Sequence, residues 1–165
     1  MARRSSITFA TLLAVTAAAA LTMVSRASYA DTPNAFVGTW VLNVSKSTFD
    51  PPPPLKSNTV TVTQAPGGGV HTTVDIVEAD GTAQHVEYTT ALDGKAVPLT
   101  GYPDADSIIV TQVNARTIKD VFLKAGKTVE KGTFTVSKSG KTMRGPLSGT
   151  EGNVHWKYHY VFERQ

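Results

Sequence analysis

The sequence predicts an all-β protein, an antiparallel meander β-barrel of about 8–10 strands. Three observations carry this. From Val37 onward, short runs rich in Val, Ile, Thr, Tyr and Phe are separated by turn residues at nearly regular spacing. No stretch of that region holds a helical period. The last run, "VHWKYHYVF", alternates: Val154, Trp156, Tyr158, Tyr160 and Phe162 fall on one face, and His155, Lys157, His159 and Val161 on the other. A meander that closes leaves no bare strand edge to template association.

Residues 1–30 read as a signal peptide and 31–165 as one barrel domain. "MARR" supplies a basic start, the run from Ile7 to Val24 an apolar middle, and Ser28 and Ala30 the small residues of a cleavage site before Asp31. The apolar run, diluted by Thr and Ala, sits near the lower length limit of a spanning helix, so a membrane anchor is the competing reading. Arg3-Arg4 lacks the apolar residues that follow a twin-arginine signal. Export places the protein in the periplasm or outside a bacterial cell, with no integral membrane segment once the leader is cut.

The leader holds Arg3, Arg4 and Arg26 and no acid, so removing it from the 16 Lys plus Arg leaves 13 against 13 Asp plus Glu. A mature chain of zero net charge has no uncompensated basic face for phosphates, which excludes a nucleic-acid partner. The chain has no Cys. Lipid anchoring through a thiol, thiolate metal sites and dithiol redox chemistry are excluded with it, and the fold must stand on its core without disulfides.

Strands are expected near 37–44, 57–65, 69–78, 82–91, 95–98, 107–113, 116–124, 127–137, 141–149 and 153–163. "PGGG", "ADG", "DG", "YPDAD", "NA", "AG", "SG" and "EGN" punctuate them with ordinary turn chemistry. The connection "STFDPPPPLKS" differs: its four prolines donate no backbone hydrogen bonds and favour a stiff extended helix. It reads as a rigid spacer, or as a lid or partner-docking segment at the barrel mouth.

Hairpin registers follow from which pairing sets apolar against apolar. A two-residue turn at Glu151-Gly152 pairs Leu147 with Trp156, Gly145 with Tyr158 and Met143 with Tyr160, the glycine leaving room for a ring. A three-residue loop with Gly81 left-handed pairs Ile76 with Gln84, Val74 with Val86 and Thr72 with Tyr88, sending His71, His85 and Glu87 to solvent. At Ala125-Gly126, Phe122 faces Val129 and Asp120 faces Lys131.

With these strands placed, "NAFVGTWVLNVSKSTFD" resembles the opening of the fatty-acid-binding proteins, and its Gly-x-Trp is similar to the first signature of the lipocalins. Both belong to the calycins, antiparallel barrels that hold a small apolar ligand. "YVFERQ" is similar to the last strand of the fatty-acid-binding proteins. The resemblance implies a Trp packed under an Arg at the closed end, here Trp40 and Arg164, with Gly38 as the gap that admits a neighbour and Phe36 as a seal. "GTWVLNVSKSTF", "EYTTALDGKAVPLTGYPDADS" and "ARTI" also resemble a group of small exported bacterial proteins, a likeness that supplies no activity. Two features depart from the fatty-acid-binding pattern. Prolines stand where that family has its helical portal, and Tyr160 and Phe162 stand where its Arg-x-Tyr carboxylate clamp would be. A buried ligand carboxylate would then lack a charged partner, so a neutral or aromatic ligand fits better than a free fatty acid.

The candidate ligand-binding set is Trp156, Tyr158, Tyr160 and Phe162 with Phe122, Met143 and Leu42; the same rings could equally form a filled core. His155 and His159, four apart on one strand, lie about 13 Å from one another, too far to share a zinc. "DADS" (104–107) lacks a downstream bidentate Glu and reads as a turn, not a calcium loop. No nucleophile elbow or metal motif stands out, and no cofactor is implied. The sequence supports an exported, monomeric carrier of a small apolar molecule. Two alternatives stay open: an envelope interaction module with a filled core docking through its Pro-rich loop, and a barrel isomerase or cyclase, for which only Asp120, Lys131 and the tyrosines are inward candidates.

Overall fold

A computed structural model describes residues 34–52 and 55–165, and the leader reading lies outside them. Eleven strands follow one another: β1 (Gly38–Leu42), β2 (Thr48–Asp50), β3 (Leu55–Gln64), β4 (Val70–Glu78), β5 (Ala83–Thr90), β6 (Asp93–Pro98), β7 (Ser107–Asn114), β8 (Thr117–Lys124), β9 (Lys127–Val136), β10 (Thr142–Glu151) and β11 (Val154–Arg164). They form one antiparallel sheet in the order β5-β4-β3-β1-β11-β10-β9-β8-β7-β6, with β2 beside β11. A reciprocal pair of hydrogen bonds between the backbones of Glu87 and Thr100, 3.0 Å each, joins the β5 edge to the chain just after β6. The result is the all-β, calycin-like meander barrel that the turn spacing and the resemblance implied, with no helical portal among the described residues.

The strand the sequence reading lacked is β2. After β1 the chain makes a single 3-10 turn at Val44–Lys46, capped by the Asn43 side chain, and rejoins β11 three residues further on. "TFD" alternates, so Phe49 turns inward and packs edge-on against Tyr158 at 5.3 Å and Tyr160 at 5.9 Å. The first part of the expected spacer is therefore barrel wall. Val161 faces outward yet is buried, where Asn43 and Ser47 of this turn hydrogen-bond to its backbone.

Three hairpins test the expected registers. At 79–81 the pairing is as read, with Ile76 opposite Gln84, Val74 opposite Val86 and Thr72 opposite Tyr88. At the last hairpin the turn is Gly152-Asn153, two places of register away: Leu147 faces Tyr158, Gly145 faces Tyr160 and Met143 faces Phe162. An even shift preserves the faces. The ring for which a glycine makes room is Trp156, because a Cβ on Gly149 would strike its indole. At Ala125-Gly126 the two-residue turn is present, both residues having positive φ, but a bulge at Val129 follows it. Phe122 then faces Glu130, Val121 faces Lys131 and Asp120 faces Gly132. Lys131 is exposed, so it is not an inward candidate, and Glu130 takes a place inside.

One end of the barrel is closed. Trp40 is fully buried, and the Arg164 guanidinium lies 4.1 Å above its ring. Arg164 donates to three backbone carbonyls: Gly140 at 2.6 Å, Val37 at 2.5 Å and Ala35 at 2.6 Å. Gly38, at φ +138°, leaves the space this guanidinium fills, since a Cβ there would meet its Nη1. Phe36 is buried beside them, and its carbonyl accepts the Trp40 indole N–H at 2.7 Å.

Candidate functional site

The barrel is hollow. A cavity of about 560 Å³ runs from Phe36 at the closed end to Thr150 and Gly152 at the hairpin end, within the size range of small-molecule pockets. The wall therefore encloses more space than the inward side chains occupy, against a filled core.

The β11 rings form a ladder along one wall. Trp156 stacks on Tyr158 at 4.7 Å, Tyr158 lies 5.9 Å from Tyr160, and Tyr160 meets Phe162 edge-on at 5.6 Å. Phe134, outside the candidate ligand-binding set, packs on Tyr160 at 6.5 Å and on Phe162 at 6.2 Å. Phe122 and Met143 also line the cavity. Leu42 does not; it is buried in the core beside Phe162, its partner across the β1–β11 pair.

The wall beside it, built from β8, β9 and the 99–106 loop, carries polar groups, of which Glu130 was missed. The β8–β9 bulge turns Glu130 inward, two residues from Gly132, which faces Asp120. Without the bulge, alternation would put Glu130 outside. The signal was in "KTVEKGTFTV": Val129 and the pair Phe134 and Val136 occupy positions of opposite parity, which a straight strand cannot place on one face. Tyr102 arrives from the 99–106 loop. Gly101, at φ +78°, passes so close to the His85 carbonyl that a Cβ would collide with it. Asp106 pins the loop by accepting from the Ala125 N–H at 2.7 Å. The Tyr102 hydroxyl donates to Glu130 Oε2 at 3.1 Å, and its ring meets Phe122 edge-on at 5.8 Å. What reads as a turn in sequence is thus part of the cavity wall.

Burial governs the titration of this wall. It pushes Asp120 up to about 7, against the opposing pull of the Asp120 and Gly132 backbone amides. Burial and then the Asp120 charge push Glu130 up to about 8, while the Tyr102 hydroxyl acts in the other direction. The phenols of Tyr88, Tyr102 and Tyr160 are all raised, first by burial and next by the facing carboxylates. Three buried polar atoms, Asn58 Oδ1, Gln84 Oε1 and Asp120 Oδ1, accept no hydrogen bond from the protein, and their residues line the cavity.

The four histidines stand elsewhere. His85 meets Asp75 at 2.6 Å and His71 meets Glu87 at 3.4 Å on the outer face of β4–β5, while His155 and His159 are exposed on β11. Among the described residues no three acidic, His or Cys side chains are grouped to hold a metal ion. No described helix is long and apolar enough to cross a membrane.

No protein-family model and no curated protein sequence matches the chain. Solved structures of similar shape include the fluorescent protein UnaG, with 14% identity over 79% of this chain and 97% of that one and a TM-score of 0.49. Another is the zebrafish ileal bile acid-binding protein complexed with cholic acid, with 9% identity over 79% and 99% and a TM-score of 0.46. A redesigned β-barrel has 15% identity over 79% and 92%, also at a TM-score of 0.46.

Proposed function

We propose that the chain is an exported small-molecule-binding protein, acting as a monomer in the periplasm or outside the cell, and that its barrel holds a mainly apolar, aromatic or neutral molecule. The observation that carries this is the cavity itself: about 560 Å³ of space beside a ladder of rings, with three buried polar atoms that no protein group satisfies. Leaving such atoms unpaired costs about 1–3 kcal/mol each, a cost that a guest's donors would remove. Binding would come from apolar contact with Trp156, Tyr158, Tyr160 and Phe162, each Å² contributing about 25 cal/mol before ordering costs.

Native mass spectrometry of the protein purified from its own cells should show a co-purifying small molecule, and Tyr160→Ala should remove it while circular dichroism still reports the barrel. An adduct that survives Tyr160→Ala would remove the assignment of the β11 wall.

A second reading is favoured by one observation. Two carboxyls that exchange protons near neutral pH inside a cavity are suited to general acid–base work, as an isomerase or cyclase would need. Conversion of the co-purified molecule, lost in Glu130→Gln, would select this reading over simple carriage. Docking through the Pro-rich segment involves residues 51–54, of which 53 and 54 lie outside the described residues.

A further inference from the structure

The cavity has a charge bias that its apolar lining conceals. Four acidic residues line it, Glu78, Asp104, Asp120 and Glu130, and among the described lining residues none is Lys, Arg or His. Asp104 is exposed and Glu78 half-buried toward the hairpin end, whereas Asp120 and Glu130 are buried in the wall. A second, independent observation points to a guest in this cavity. Asn58 is 6% exposed and Asp120 8% exposed, and one side-chain oxygen of each accepts nothing from the protein. All of these unsatisfied sites are acceptors. They call for a donor.

We infer that the barrel selects an organic amine, a molecule whose aromatic or apolar body lies on the β11 rings while its protonated nitrogen faces Asp120 and Glu130. This rests on the small-molecule reading above and narrows it. An ammonium carries several N–H donors and a charge, so it can satisfy the open acceptors and convert one carboxyl to its ionised form as a close pair. The neighbouring rings add attraction for a cation held near their faces. A carboxylate guest would meet the opposite situation, a buried anion beside acids with no cation to pair with.

The groups that face the two acids are Tyr88 on β5, Tyr102 and Asp104 on the loop before β7 and Tyr160 on β11, together with the acids themselves; Glu78 on β4 acts on Tyr160. None supplies a positive charge. Amine affinity should therefore rise as pH climbs through about 7 to 8, where Asp120 and Glu130 lose their protons while an alkylammonium keeps its own.

The test is calorimetric titration of the protein with three probes that share one skeleton: 1-naphthylmethylamine, 1-naphthylmethanol and 1-naphthoate. At neutral pH the amine should bind at least about tenfold more tightly than the alcohol, with naphthoate weakest. In Asp120→Asn/Glu130→Gln the amine should lose that advantage while the alcohol keeps its affinity, which also shows that the variant is folded. Glu130→Gln alone, which retains an amide for Tyr102 to bond, should lose part of it. Equal binding of all three probes, or a preference for naphthoate, would overturn amine selection and leave the carrier reading standing. Failure of all three to bind would overturn both.

Discussion

Gly132 stands directly across the β8–β9 pair from Asp120, and a methyl group on it would occupy the place of Asp120 Oδ1, crowding Leu147 and Phe134 as well. The glycine is what lets a carboxyl lie flat against the wall between apolar side chains. Gly132→Ala should destabilise the barrel by about 1–3 kcal/mol through overpacking. In an Asp120→Ala background the same change should cost less, because one of the three colliding groups is gone. Urea midpoints for the four proteins of this cycle measure the coupling, and additive costs would show that the two residues do not share that space.

Stability should fall as pH rises from about 4 to 8. Asp120 and Glu130 titrate higher in the fold than the ordinary carboxylate values of 3.8 and 4.5, at about 7 and about 8. The folded state therefore binds more protons than the unfolded chain across that window, and unfolding releases them. Their contribution is fully present below the unfolded pKa values and is lost as pH passes through the folded ones. Melting temperature followed against pH should decline over this range, and Asp120→Asn/Glu130→Gln should flatten the decline. An unchanged slope in that variant would place the two carboxyls in water.

Tyr102→Phe removes the hydroxyl, 3.1 Å from Oε2, that favours the ionised form of Glu130 and limits how far its pKa is raised. Burial and the Asp120 charge would then act unopposed by it, so Glu130 should titrate above about 8. Infrared difference spectra of the carboxyl C=O stretch follow this proton directly. A midpoint that stays in place or moves down would mean that the 99–106 loop does not hold its tyrosine against Glu130 in solution.

At the closed end, Arg164→Met should be among the most destabilising single changes. It strips three carbonyls, those of Gly140, Val37 and Ala35, of charged donors and removes the cation from the Trp40 face. A loss of about 3–5 kcal/mol is expected. Arg164→Lys should recover little of it, since an ammonium cannot reproduce the planar fork that reaches all three oxygens. Full recovery by Lys, read from denaturation midpoints, would show that charge alone closes this end.

Much of this protein is local in origin. Period-two alternation in β11, the turn residues at regular spacing and the Gly-x-Trp near the start are each contained within a few neighbouring residues. They were enough to determine an antiparallel meander and the inward ring ladder from Trp156 to Phe162, whereas the pairing of Trp40 with Arg164 was implied by the resemblance alone and is made by the β1–β11 contact. The polar wall was decided elsewhere. Whether Glu130 points in or out depends on one extra residue, Val129; the parity of Val129 against Phe134 and Val136 marks a break in the strand, but which residue of β8 Glu130 then faces is set only by the pairing of the two strands. Tyr102 enters the cavity only because Gly101 lets the loop pass against the His85 carbonyl of a strand from the other side of the barrel's seam. Side-chain facing follows from the backbone's own repeat and can be read in the chain. The bulge, the loop's direction and the hollow between them are properties of how strands distant in sequence meet, and only the closed barrel settles them.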